Sequence, residues 1–344
     1  FFYRAASLKK PLLLMNFINL HGLDRREVVE SFYQNAAQFG ELPSTGRFVQ
    51  EGYKMYGDLA HAWMPAICEL ASAGWEPIPL ATGAQVERFP AEDAVYFTLR
   101  APVTPEACEL SIEPAALAGL GLDLVAVDAL TLAEVPLVRE GEGARIALHH
   151  GAERVTVLRV GPRAGIAGWL LGRAREHALD AARVRGNASR TPELAAAAEI
   201  LGQEPGTSQR QLLEHCGACR TALDAALKSI QGAEDDLFAL SARREVLQAQ
   251  QAIAALVALM AKLDVSFPGE RVGIPGDRLA ASPRVSCAAP FLARAVSVTA
   301  KPGPALVPNL KPDATVGEAS AEVSLPQTGI AHVSATVEVI GPGQ

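Results

Sequence analysis

The order of hydrophobic and polar positions falls into four successive patterns. Residues 11–20, Pro-Leu-Leu-Leu-Met-Asn-Phe-Ile-Asn-Leu, form an almost unbroken apolar run of strand length. A strand buried on both faces, as in a parallel sheet, reads this way. After His21-Gly22-Leu23, Asp24 with Glu27 three residues later gives the spacing of a capping box. Val28, Val29, Phe32, Ala36 and Phe39 then recur at helical spacing, and Gly40 closes the helix. Residues 41–57 read as a polar, glycine-containing connection. A second helix over residues 58–73 carries Leu59, Trp63, Ile67 and Leu70 on one face and stops at Gly74. Residues 75–80, Trp-Glu-Pro-Ile-Pro-Leu, predict a short edge strand, because proline cannot donate to a ladder.

The period then shortens. Residues 86–89, 94–100, 109–112, 124–132, 145–149 and 155–160 are short strand-like runs separated by Pro and Gly clusters, the spacing of an antiparallel sandwich. Residues 168–185, 191–201, 208–231 and 233–263 return to helical spacing, with Thr191-Pro192 as N-cap and first-turn proline. Leu237, Leu240, Val246, Leu247, Ile253, Leu256, Val257 and Met260 make an apolar stripe, so an antiparallel helical bundle is expected. Residues 279–288, 293–300, 319–325 and 332–340 alternate as strands again, a small Ig-like sandwich by pattern.

Length and composition narrow the class. The 344 residues suit two to four domains, and 49% of them are apolar, enough for a sizeable core. The net charge is −7 and no basic patch stands out, which argues against nucleic acid as a partner. No apolar run approaches the ~20 residues of a membrane helix, so no membrane span is expected. The chain opens Phe1-Phe2-Tyr3-Arg4, without an initiator Met or signal-peptide anatomy. It reads as the middle of something, with processing or further residues before Phe1 as the expectation.

The candidate chemistry is sparse. Cys68, Cys108, Cys216, Cys219 and Cys287 are an odd, scattered set rather than a disulfide framework, with Cys216–Cys219 the one local bridge suggested. Cys216-Gly217-Ala218-Cys219 has no second pair to complete a zinc site and sits inside a helical pattern, so two small core residues are expected there rather than a metal or redox centre. His149 and His150 point to opposite faces of a strand and cannot easily share a metal. Residues 161–165, Gly-Pro-Arg-Ala-Gly, lack the Lys-Ser/Thr of a phosphate loop and read as a linker. Glu234-Asp235-Asp236 reads as a helix start, where negative charge suits the dipole. No metal and no cofactor is expected. Asn16, Asn19 and His21 close the first strand, where they suit either hydrogen bonds to the hydroxyls of a ligand or local capping of the backbone. Tyr53 and Tyr56, with Glu41 and Glu51 in the same connection, suit either stacking on a flat ligand face or packing of a loop.

Residues 31–40 and 53–77, with Trp63-Met64-Pro65 and Ala73-Gly74-Trp75-Glu76-Pro77, followed by Val86-Glu87-Arg88-Phe89 and residues 95–100, resemble the last units of secreted TIM-barrel glycoside hydrolases and the β-sandwich that follows them. Pro275-Gly276-Asp277 and residues 319–326 resemble Ig-like modules attached to bacterial extracellular glycosidases. The resemblance implies a multi-domain α+β chain: the partial end of an α/β barrel over residues 1–82, an antiparallel β-sandwich over 83–162, an antiparallel helical bundle over 163–264 and a C-terminal Ig-like β-sandwich over 265–344. It also implies a bacterial secreted or cell-surface protein that meets polysaccharide or oligosaccharide. A barrel needs roughly 200 residues or more, so the catalytic carboxylates are expected upstream of residue 1, and the catalytic residues are unknown. Asn16, Asn19, His21, Tyr53 and Tyr56 are the substrate-binding candidates. The alternative is a non-catalytic surface-layer or filament-type subunit of the same ancestry that works by self-assembly.

Overall fold

The computed structural model describes residues 13–15, 25–44, 50–101, 107–149, 154–184, 192–206, 208–230, 236–266, 278–281, 284–286, 292–301, 316–318, 321–324 and 332–340. The chain is mixed α+β and divides into two compact units, one of residues 1–205 and 217–255, the other of residues 206–216 and 256–344.

In the first unit, strand β1 (Leu13–Met15) runs parallel to β2 (Leu42–Ser44), with helix α1 (Arg26–Phe39) between them. Gly40 ends α1 in the left-handed conformation at φ 60°, and Glu41 N–H donates to the Ala36 carbonyl at 2.9 Å. A β-carbon at Gly40 would lie 2.5 Å from Cε1 of Phe89, so glycine is required there for space as well as for φ. Helix α2 (Gln50–Ala73) begins a full two turns before the start expected from the sequence. The supposed connection is helical because Tyr56 extends the stripe of Leu59, Trp63, Ile67 and Leu70 into the core, and that burial offsets the helix cost of Gly52 and Gly57.

Two antiparallel sheets follow. One has the strand order β4-β5-β11-β7-β8: β4 (Val86–Pro90), β5 (Val95–Arg100), β7 (Leu124–Asp128), β8 (Glu134–Val135) and β11 (Val155–Pro162). The other has the order β3-β6-β10-β9: β3 (Ala81–Thr82), β6 (Ala107–Ile112), β9 (Leu137–Glu140) and β10 (Gly143–His149). Val95, Phe97, Leu99, Leu124, Ala126, Leu158 and Val160 of the first sheet share a core with Cys108, Leu110, Ile112, Ala144, Ile146 and Leu148 of the second. The sheets are therefore stacked face to face. The opposite face of the five-stranded sheet is buried too. Phe89, Tyr96, Val155 and Val157 pack there against Val29, Tyr33, Ala36 and Ala37 of α1 and against Trp63, Ile67 and Leu70 of α2. Burial on both faces is why β5 and β11 read as nearly continuous apolar runs. The four-stranded sheet keeps a polar outer face, where Arg145 bridges Glu109 at 3.1 Å and Glu140 at 2.7 Å.

Residues 75–80 do not form the expected strand; one bridge, Glu76 to Arg88, marks their contact with the sheet edge. Residues 161–165 are not a linker. β11 runs through Pro162 and helix α3 (Arg163–Arg183) starts at the next residue. Gly161 is there because a β-carbon would meet the Asp93 carbonyl at 3.1 Å and Cβ of Ala94 at 3.2 Å. Helices α4 (Pro192–Gly202), α5 (Gln209–Ser229) and α6 (Leu237–Ala261) follow. Asp236 caps α6, its Oδ1 accepting the Phe238 N–H at 2.8 Å. Among the described residues, no helix is long and apolar enough to cross a membrane.

Among the described residues of the second unit, the backbone forms three small antiparallel groupings. β14 (Arg284–Ser286) pairs with β12 (Asp264–Ser266) and β16 (Val316–Glu318), β13 (Arg278–Ala281) with β17 (Ala321–Ser324), and β15 (Leu292–Lys301) with β18 (His332–Ile340). The last pair has a register shift between Ala295 and Ser297.

Candidate functional site

The densest polar chemistry among the described residues lies between the five-stranded sheet and the helices that cover it. Glu69 projects from α2, Trp169 and Arg173 from successive turns of α3, Tyr96 from β5 and Arg159 from β11. Glu69 Oε1 accepts from Trp169 Nε1 at 2.9 Å and from Arg173 Nε at 2.8 Å, and Oε2 accepts from the Tyr96 hydroxyl at 2.9 Å. Arg159 donates to the Tyr96 oxygen and reaches Asp93 at 2.7 Å. Its guanidinium lies 5.0 Å from the centroids of both Tyr96 and Trp169, and that of Arg173 lies 4.8 Å from Trp169.

Both guanidinium groups are buried, at 6% and 5% exposure, so their charges need close compensation. Glu69 and Asp93 supply it, and the four charges sum to zero. Arg159 Nε and Arg173 Nη2 find no acceptor among the described residues; the negative faces of the aromatic rings are the compensating partners. Burial and the charge on Glu69 both push the Tyr96 hydroxyl well above the ordinary phenol range. Glu69 already accepts three hydrogen bonds, two on Oε1 and one on Oε2, which occupy most of its roughly four lone-pair sites. The arrangement joins the helices to the sheet rather than presenting an acid and a base to a bond.

Further along the same helices, His61 of α2 and His177 of α3 each place Nδ1 2.7 Å from a different oxygen of Glu245 on α6. Burial raises the Glu245 carboxyl, but the hydrogen bonds from His177 and His61 more than reverse this and hold it at about 2. Because the carboxylate stands between the two rings, they do not converge on one point. Among the described residues, no group of three or more His, Cys, Asp or Glu is arranged to hold a metal ion.

Of the residues proposed from the sequence, Asn16, Asn19 and His21 lie outside the described residues. Tyr53 falls within α2. Tyr56 is 2% exposed in the core against the sheet, so its ring is not offered to solvent as a stacking surface. Burial of one ring face against protein is what the extension of α2 requires of it. Cys216 and Cys219 sit one turn apart on α5, are buried, and are not in a disulfide; burial pushes the Cys219 thiol up to about 11, far from a reactive thiolate.

The polar seam was not anticipated from the sequence, although a signal existed. Trp169, Arg173 and His177 recur at intervals of four on one face of α3, next to Ile166, Leu170, Ala174 and Ala178 of the buried face. His61 and Glu69 stand two turns apart on α2. Polar residues repeating beside an apolar stripe mark an internal network as well as a solvated edge. No family model matches the chain, and no curated protein or solved structure matches it.

Proposed function

We propose that the chain is the C-terminal accessory region of an extracellular, carbohydrate-active protein of the barrel-glycosidase kind, with the cleaving carboxylates carried by another segment. In this reading the parallel β1-α1-β2 unit belongs to the end of an α/β barrel, and the strands after residue 264 form an Ig-like module. The observation that carries the reading is the core shared by α1, α2 and the five-stranded sheet. A parallel unit built into a sandwich in this way is held at a fixed position, which suits an accessory domain that braces a catalytic one. Asn16, Asn19, His21 and Tyr53 remain the proposed sugar contacts.

The test is affinity electrophoresis of the intact natural protein in gels containing soluble α-glucan, β-glucan, xylan or mannan, with release of reducing ends measured in parallel. Retardation by at least one polysaccharide is expected. Uniform migration and no release across the panel would overturn the reading. Ordered polymers seen by electron microscopy in the same samples would replace it with an assembly role, to which the low aromatic content of 6% is also suited.

A further inference from the structure

Three helices meet at a single carboxylate. His61 of α2, His177 of α3 and Glu245 of α6 are 14%, 11% and 12% exposed, and each imidazole donates Nδ1–H to its own carboxylate oxygen at 2.7 Å. Other charges on these helices have their own partners. On α2, Asp58 pairs with Arg26 and Glu69 with Arg173 of α3; on α3, Asp180 pairs with Arg183. Arg243 and Arg244 flank Glu245 in the chain, but the charges that lower its carboxyl are those of the two histidines. Glu245 therefore places one carboxylate between two imidazole rings.

We propose that Glu245 is an acid-operated release for α6, letting its Leu237–Ala255 portion lift from α2 and α3 while the two-sheet sandwich stays folded. While ionised, Glu245 binds both rings. Once it takes a proton, two imidazolium groups are left facing each other in a place nearly closed to water, where like charges repel strongly and are poorly solvated. The described residues of the core between the sheets are hydrophobic. The sign follows from the direction of the shift. A carboxyl held below its ordinary value stabilises fully above that value, 4.5, and loses the contribution as pH falls toward about 2.

Limited digestion with pepsin from pH 4 to pH 1.5, with cut sites located by mass spectrometry, tests this. In the unmodified protein, cuts within residues 237–255 should appear as the pH approaches about 2, before any cut within residues 86–162. The variant H61N/H177N keeps an N–H donor at each position without a titrating ring, and its cuts should move to lower pH by about one unit or more. In E245Q, one ring donor faces an amide NH2 instead of an acceptor. Hydrogen-exchange protection of residues 237–255 at pH 7 should fall by about tenfold or more. Simultaneous cutting of helix and sandwich, an unshifted H61N/H177N profile, or unchanged protection in E245Q would each overturn the proposal.

Discussion

Glu69 illustrates what one residue can do when it accepts three hydrogen bonds from two elements, α3 and β5. Replacing it with Ala strands Arg173, which is 5% exposed, and leaves Trp169 Nε1 and the Tyr96 hydroxyl without their acceptor. Removing one partner of a buried pair in this way costs about 3–5 kcal/mol. The double variant Glu69→Leu with Arg173→Met removes both charges together, and its loss should be well below the sum of the two single losses. Urea unfolding of the four-protein cycle measures the coupling. An additive result would mean that the seam is solvated and contributes little. The residue scale was also where sequence reading fell short. Glu69 and Arg173 are 104 positions apart in the chain, and nothing local reveals that one accepts what the other donates.

At the scale of elements, local chemistry was far more legible. Gly40 and Gly74 end helices where expected, at φ 60° and 83°. The strands at residues 95–100 and 155–162 follow the apolar runs, because burial on both faces writes itself into consecutive positions. The edge strands β3, β8 and β9 were missed; they are two to four residues long, and the last alternates half-buried and exposed residues around charges. The start of α2 was missed because glycines mask the last apolar position of its stripe. One contact between elements makes a direct prediction. Arg175 of α3 closes the end of α4, donating from Nε to the Leu201 carbonyl at 2.7 Å and from Nη2 to the Gln203 carbonyl at 2.8 Å. A cation there answers both the unpaired carbonyls and the negative end of the dipole. Arg175→Ala should cost about 1–2 kcal/mol and increase hydrogen exchange mainly in residues 197–202. Loss spread evenly over the sandwich would contradict a capping role.

At the scale of the whole molecule, the five-stranded sheet is the common wall of two cores in the first unit. Phe97 faces the second sheet and Tyr96, its neighbour, faces the helices. Phe97→Ala leaves a cavity in one core and should cost about 3–5 kcal/mol. Because both cores share the sheet, near-neutral unfolding of the first unit should remain one transition. Fluorescence of Trp63, Trp75 and Trp169, all packed on the helix-side core, should therefore follow the same denaturant midpoint as far-UV dichroism, in the parent and in the variant. Separate midpoints would show that the helical layer and the sandwich fold independently near neutrality. That shared wall could be inferred from the apolar runs of β5 and β11, but not which helices cover it, since coverage depends on pairings that arise only when α1 and α2 fold back over residues far along the chain.

The polar outer face of the four-stranded sheet has a consequence for how the sequence can vary. Val95 to Leu99 of β5 are all buried on one side of the sheet or the other, so drift along that stretch is confined to exchanges of matching shape. Glu109, Arg145, Ala147 and Glu140 face away from both cores or lie exposed on them, and substitutions there change surface chemistry without disturbing packing. A library of random replacements at those four positions would yield mostly folded proteins, and the same number of changes in β5 would yield few. In a lineage of such chains, new surface specificities would arise on that sheet while the central one stays nearly fixed.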